Sequence, residues 1–178
     1  MVRALAVVLL ALSVIAPPAP AAAQEGDSMD SAFAVASPAF ANGEPIPERF
    51  TVDGANVSPP LAISNPPEGT VTFALVVDDP DAPRGTWVHW VAWNLPATTR
   101  EISEGSLPAG AVEGRNSWGR TGYGGPSPPS GTHRYHFKLY AVDDWLQLPR
   151  STDKIALIET LEGRVLARAQ LTGTYSRR

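Results

Sequence analysis

Apolar and polar positions alternate along this chain in short stretches, and Pro, Gly, Asn or Asp interrupts almost every one of them. A two-residue period marks a strand with one buried face, and the interrupting residues are those that turns require. Residues 31–40 open the series, with Phe33, Val35 and Phe40 pointing inward. Asn42-Gly43 and Asp53-Gly54 are turn signals, and Pro45 and Pro47 hold the chain between them extended. Leu61–Ser64 is a short strand ahead of the loop Asn65-Pro66-Pro67-Glu68-Gly69. Residues 71–77 are almost continuously apolar, which predicts a strand buried on both faces. Residues 87–95 follow. Strict alternation puts Trp87, His89, Val91, Trp93 and Leu95 on one face and Val88, Trp90, Ala92 and Asn94 on the other. Residues 135–142 form the next strand. His133, Tyr135, Phe137 and Leu139 share one of its faces, and Arg134, His136 and Lys138 the other. Residues 97–134, rich in glycine and without a sustained period, predict a long ordered loop.

The pattern changes near the end. Ser151-Thr152-Asp153 is a helix N-cap signal, and Ile155, Ile158, Val165, Leu166 and Ala169 recur at helical spacing, with Leu161 near the edge of that face. Gly163 weakens the middle of this predicted helix, and residues 172–175 are a short terminal strand or turn. Together these elements predict a mostly β (α+β) domain over residues 31–178. It is an antiparallel sandwich with a C-terminal helix packed on it.

Residues 1–23 stand apart. Arg3 precedes the apolar run of residues 4–16, Pro17, Pro18 and Pro20 stop it, and Ala21-Ala22-Ala23 leads into Gln24. That is the layout of a secretory signal peptide, and the run is short for a membrane span. The expectation is therefore an exported protein, periplasmic or extracellular, with no stable membrane span after processing. An uncleaved anchor is the alternative, and residues 24–30 are a polar, flexible tail. The full chain of 178 residues carries a formal charge of −4. Without residues 1–23 the balance is 13 basic against 18 acidic residues, or −5. No basic stripe appears, which argues against a nucleic-acid partner. The cysteine count is 0, which excludes disulfides, thiolate metal sites and cysteine nucleophiles.

Candidate chemistry gathers at strand ends. Asp79 and Asp81 straddle Pro80. His89 lies in Trp87-Val88-His89-Trp90, and His133 and Tyr135 lie in Gly131-Thr132-His133-Arg134-Tyr135. A carboxylate beside an imidazole orients it and favours its cation, which can hold an anion. Tyr135 adds a hydroxyl donor, and Gly122, Gly124, Gly125 and Gly131 permit close backbone approach. Pro126 fixes the shape of the loop that follows Gly125. The same Asp–His pair also fits a purely structural tie between loops. A hydrolase would use the pair as a general base, yet no Gly-x-Ser-x-Gly elbow accompanies it. A zinc site is disfavoured because His133 and His136 point to opposite faces of one strand.

The stretches 78–83, 87–90, 116–129 and 131–140 resemble those of the phosphatidylethanolamine-binding protein family, in particular its bacterial Raf kinase inhibitor-like branch. The likeness runs from Phe40 to Tyr175. It takes in Ile46-Pro47-Glu48-Arg49-Phe50-Thr51, Asn56-Val57-Ser58-Pro59-Pro60-Leu61, Glu104-Gly105 and Gly173-Thr174-Tyr175. The resemblance implies two antiparallel sheets with Greek-key connections, a C-terminal helix and a pocket for phosphate-like anions. By motif position that pocket takes Asp79, Asp81, His89, Gly125, Pro126, His133 and Tyr135. Bacterial relatives often carry Cys where this chain has Val52 and Ser127, and His where it has Arg164. The resulting expectation is a non-enzymatic binding protein for a small phosphate- or carboxylate-bearing ligand, without cofactor or metal. A regulator of an exported protease or kinase-like partner, working through the same pocket, is the alternative, and a homodimer is compatible with either. N-terminal sequencing of protein recovered outside the cytoplasm is expected to begin near Gln24. An intact Met1 on soluble cytoplasmic protein would overturn export.

Overall fold

The computed structural model describes residues 32–177. The leader assigned to residues 1–23 and the tail of residues 24–30 lie outside the described residues. β1 (Ala34–Ala36), β2 (Leu61–Ser64) and β5 (Glu101–Ile102) form a three-stranded sheet in the order β1-β2-β5. β3 (Thr72–Asp79), β4 (Trp87–Pro96), β6 (Val112–Glu113), β7 (Thr132–Val142) and β8 (Val165–Ser176) form a five-stranded sheet in the order β6-β4-β3-β7-β8. Neighbouring strands run antiparallel in both sheets. The helix α1 (Lys154–Thr160) comes just before β8. The predicted long loop contains β5 and β6, each two residues long.

The apolar run becomes β3, the middle strand of the larger sheet, and all of its residues are buried. Its alternation feeds two separate cores. Phe73, Leu75 and Val77 join Val35, Leu61 and Ile63 of the smaller sheet in one cluster. Ala74 and Val76 face the other way and pack with Leu146, Leu157 and Leu161 around α1. β7 keeps its predicted faces throughout. Tyr135, Phe137 and Leu139 enter the first cluster, while the alternate positions are less buried.

β4 departs from strict alternation twice. Its register against β3 slips between Val77 and Asp78 and again between Phe73 and Leu75. Each slip is a β-bulge, an extra residue on one strand that re-aims the side chains beside it. The first lies at His89, because Trp90 faces Val77 while Val88 already faces Asp78. The second includes Asn94, whose φ of 58° few residues other than Asn and Gly adopt readily. Consequently Trp90, Ala92 and Leu95 share the first core, and Val91 and Trp93 belong to the second. The predicted single face of Trp87, His89, Val91, Trp93 and Leu95 does not exist.

The C-terminal helix also needs correction. Asp153 caps α1 as predicted, accepting from the Ala156 amide at 3.1 Å. The helix then stops. Gly163 sits at φ 75° and turns the chain, and Val165 onward is strand. Ala167, Ala169 and Leu171 alternate with Arg168 and Gln170, and this two-residue period pairs β8 against β7 along its length. Arg164 is therefore not on a helix but in the turn, where it binds Asp144 at 2.6 Å.

On the α1 side, Asp78 is fully buried and meets Lys138 Nζ at 2.8 Å and Lys154 Nζ at 2.5 Å. A lysine in the first turn of a helix opposes the helix dipole. Here the buried carboxylate holds it and fixes α1 onto the sheet. Replacing Lys138 or Lys154 alone with Met leaves Asp78 one cation. The double variant strands a buried charge, which typically costs about 3–5 kcal/mol. Denaturant melts of the two single variants and the double are expected to show a loss greater than the sum of the singles. Simple additivity would mean that the two lysines act independently.

Candidate functional site

The turn after β3 begins with a carboxylate that organises its own backbone. Asp79 Oδ1 accepts the Asp81 amide at 2.8 Å, and its Oδ2 lies 2.7 Å from His133 Nδ1. Both side chains are buried, with 5% and 8% of their surface exposed for Asp79 and His133. Asp81 faces elsewhere. It takes a two-pronged contact from the Arg134 guanidinium, at 2.6 and 2.9 Å, and also the Arg134 amide at 2.9 Å. These bonds, led by the guanidinium contact, hold the Asp81 carboxyl well below the usual carboxylate range. They also clamp the 79–83 turn to the start of β7, which is what brings Asp79 to His133.

His89 arrives through the β4 bulge. Its Nδ1 lies 2.7 Å from the Gly124 carbonyl, which can only accept, so Nδ1 carries the proton and Nε2 is left with a lone pair in the neutral ring. The Gly124 amide returns a bond to the His89 carbonyl at 3.0 Å. The ring packs edge-to-face on Tyr135 and on Trp118, at 5.2 and 5.1 Å between centroids. Burial pushes the His89 pKa below the ordinary histidine value, and the Gly124 carbonyl and Asp79 only partly oppose this. Burial likewise raises the Tyr135 hydroxyl, which stays protonated. That hydroxyl lies near the Ser127 amide without making a hydrogen bond of ordinary geometry.

Asp79, His89 and His133 line one cleft of about 220 Å³, together with Trp87, Trp118 and Ser127. Trp87 and Trp118 meet edge-to-face at 5.4 Å and are 36% and 38% exposed, so they form its aromatic lip. Trp118 is held by its loop. Buried Asn116 accepts the Trp118 amide at 3.0 Å and donates to the Gly122 carbonyl at 2.9 Å. Tyr135 stands behind His89. Gly125 and Pro126 are buried behind the lining, and the Gly125 amide donates to Asn56 Oδ1 at 2.8 Å. A Cβ on Gly125 would come within 2.6 Å of the Phe50 carbonyl, so only glycine fits there. The residues named from sequence thus fall into three groups. Asp79, His89 and His133 share the cleft. Tyr135, Gly125 and Pro126 support it. Asp81 is turned away to Arg134. Ala82, Pro83 and Pro129 also line the cleft; in the sequence they mark only the turn and loop beside the motifs, because small and cyclic side chains carry no polar group. Among the described residues no group of three or more His, Asp and Glu side chains could hold a metal ion.

The described geometry belongs to a recurrent architecture. The sequence profile of the phosphatidylethanolamine-binding protein family matches residues 36–176. A UPF0098 protein of Methanothermobacter thermautotrophicus is 46% identical over 144 residues, covering 78% of this chain and 95% of that protein. A UPF0098 protein of Aquifex aeolicus is 43% identical over 80% of this chain and 88% of its own length. Among solved structures, a phosphatidylethanolamine-binding protein homologue from Chlamydia trachomatis superposes with a TM-score of 0.80 at 38% identity, covering 83% of this chain and 99% of that one. YbcL of Escherichia coli, described as a member of the mammalian PEBP family, gives a TM-score of 0.78 at 34% identity, over 82% and 99%.

The lowered pKa of His89 has a signed consequence. Its neutral form is favoured by folding, so its contribution to stability is complete above the unfolded value of about 6.5 and declines as pH falls below it. His136, lowered first by burial and then by Lys138, acts in the same direction. NMR titration of the His89 ring is expected to give a midpoint below 6.5 together with falling stability in mild acid. A midpoint above 6.5 would contradict the burial argument.

Proposed function

This chain belongs to the phosphatidylethanolamine-binding protein family, and from that premise we propose that it is an exported, non-enzymatic binding protein whose cleft takes a small phosphate-like anion. The observation that carries this reading is the pair of imidazoles that line one cleft with their Nδ1 atoms already committed, His133 to Asp79 and His89 to the Gly124 carbonyl. Each ring then has only Nε2 left for a ligand. On a neutral ring that atom accepts, and on a cationic ring it donates. A phosphate monoester can meet either state, because its P–OH donates and its charged oxygens accept. Binding of the dianion therefore requires proton uptake, either by the rings or by the phosphate.

Support for binding over hydrolysis comes from Ser127. It shares the cleft with Asp79 and His133, yet its hydroxyl makes no hydrogen bond to the imidazole that would have to activate it. The apolar wall of Trp87, Pro83 and Trp118 leaves room for an uncharged or weakly polar remainder of the ligand.

Calorimetric titration with inorganic phosphate and with phosphoethanolamine tests the reading. Affinity is expected to fall as pH rises through the histidine range, with net proton uptake visible as a buffer-dependent heat. His133→Ala removes one charge-assisted bond and is expected to weaken binding by roughly ten- to a hundredfold. Phe137→Ala, deeper in β7 and fully buried, is expected to lose about 3–5 kcal/mol of stability with little change in affinity at a temperature where it stays folded. Affinity that does not vary with pH, or undiminished binding by His133→Ala, would refute the anion site.

A further inference from the structure

A second cavity stands apart from the cleft. It measures about 510 Å³ and is lined by Tyr123 and by the segments that carry Asn56, Gly105 and Gly110. None of its lining residues belongs to the lining of the Asp79–His133 cleft. Its walls include Val57, Leu107 and Trp90, and two residues of opposite charge, Glu113 and Arg150, face into it. These two do not form an ion pair with each other, and among the described residues Arg150 makes no salt bridge or side-chain hydrogen bond.

Glu113 is held in place. The indole N–H of Trp90, itself 1% exposed, donates to its Oε1 at 2.9 Å. Glu113 lies on the edge strand β6, paired with Ala92 of β4, so its backbone is fixed as well. Among the described residues its other carboxylate oxygen, Oε2, has no hydrogen-bond partner. Asn56 is fixed by the opposite tie: its φ is 55° and its Oδ1 is committed to the Gly125 amide, which leaves its NH₂ group as an unengaged donor at the cavity. The cavity therefore offers an anchored anion, a separate cation, an amide donor and an apolar wall. A ligand with one charge would pair with one of the two charged groups and leave the other to solvent. A ligand with a separated ammonium and carboxylate on an apolar body satisfies both.

We propose that this cavity is a second ligand site, for a small zwitterion of the amino-acid or dipeptide class with an apolar side chain. Its ammonium pairs with Glu113, its carboxylate with Arg150 and the Asn56 amide, and its side chain lies against Val57, Leu107 and Trp90. The volume falls within the range of about 300–1,000 Å³ usual for small-molecule pockets. The proposal goes beyond the anion cleft and does not depend on it.

The test uses the whole folded protein with leucine and leucyl-leucine as probes, followed by saturation-transfer NMR and calorimetry. Leucinamide, which lacks the carboxylate, and 4-methylpentanoate, which lacks the ammonium, are the controls. Binding of at least one zwitterion is expected, with both controls weaker by tenfold or more. Glu113→Gln keeps an acceptor for Trp90, and Arg150 is exposed, so Glu113→Gln and Arg150→Ala are expected to melt near the parent temperature and to lose zwitterion binding by tenfold or more. Phosphate binding, measured on the same variants, is expected to be unchanged. No zwitterion binding at millimolar concentration would overturn the proposal, as would binding unaffected by both variants or binding abolished by His133→Ala instead. Failure of phosphate binding in the parent protein would count against the cleft alone.

Discussion

Two consecutive carboxylates end the central strand, and neither can sit bare in an apolar interior. Because successive side chains leave a strand on opposite faces, Asp78 and Asp79 need cationic or donor partners on both sides of the same sheet. The neighbouring strand β7 provides for both. His133 lies on the face of the inter-sheet core and meets Asp79, while Lys138 lies on the face of α1 and meets Asp78, joined there by Lys154 from the helix. Much of the architecture follows from this. The helix docks where its first lysine can reach Asp78, and the cleft opens where Asp79 is satisfied by an imidazole rather than by a saturated ion pair. The two faces of one strand end thus have different fates, one closed by two ammonium groups and the other left with an imidazole that lines the cleft.

A second constraint is the single extra residue at His89. Without the bulge, β4 would present Trp90 and His89 to opposite faces. With it, Trp90 packs in the inter-sheet core while His89 reaches Tyr135 on that side and binds the Gly124 carbonyl across 2.7 Å. The glycines of that loop are needed for space. A Cβ at Gly124 would stand 2.5 Å from the Trp118 ring, and one at Gly125 would strike the Phe50 carbonyl. The loop is therefore pressed against Trp118 on one side and the 50–56 segment on the other.

Some of this is legible in the residues. β3, β7 and the Asp153 cap follow from period and local chemistry, and the two histidines beside turns mark the cleft before any fold is known. Gly125, Pro126 and Tyr135 join them on their local chemistry, and the family resemblance points to the same grouping. What the sequence hides is non-local. The bulges in β4 carry no glycine, and only Asn94, tolerant of positive φ, hints at one of them. Residues 166–171 are Leu, Ala, Arg and Gln alone, good helix formers, but pairing along the whole of β7 overrides that preference. Asp78 meets Lys154 from 76 positions away, a contact no short motif announces. The Asn56, Glu113 and Arg150 cavity likewise draws on three distant segments. Asp81 shows the reverse case: its place in a motif marks it for the pocket, and its side chain instead ties the turn to Arg134.

The Trp87–Trp118 contact at the lip of the cleft has an optical consequence. Two indoles at 82° and 5.4 Å couple their electronic transitions, so their circular-dichroism band is a property of the pair rather than of either ring. Trp90 and Trp93 are buried in separate cores, and Trp145 has no aromatic partner among the described residues. The protein thus carries a built-in chromophore at its entrance, sensitive to the angle between two side chains and readable without any label.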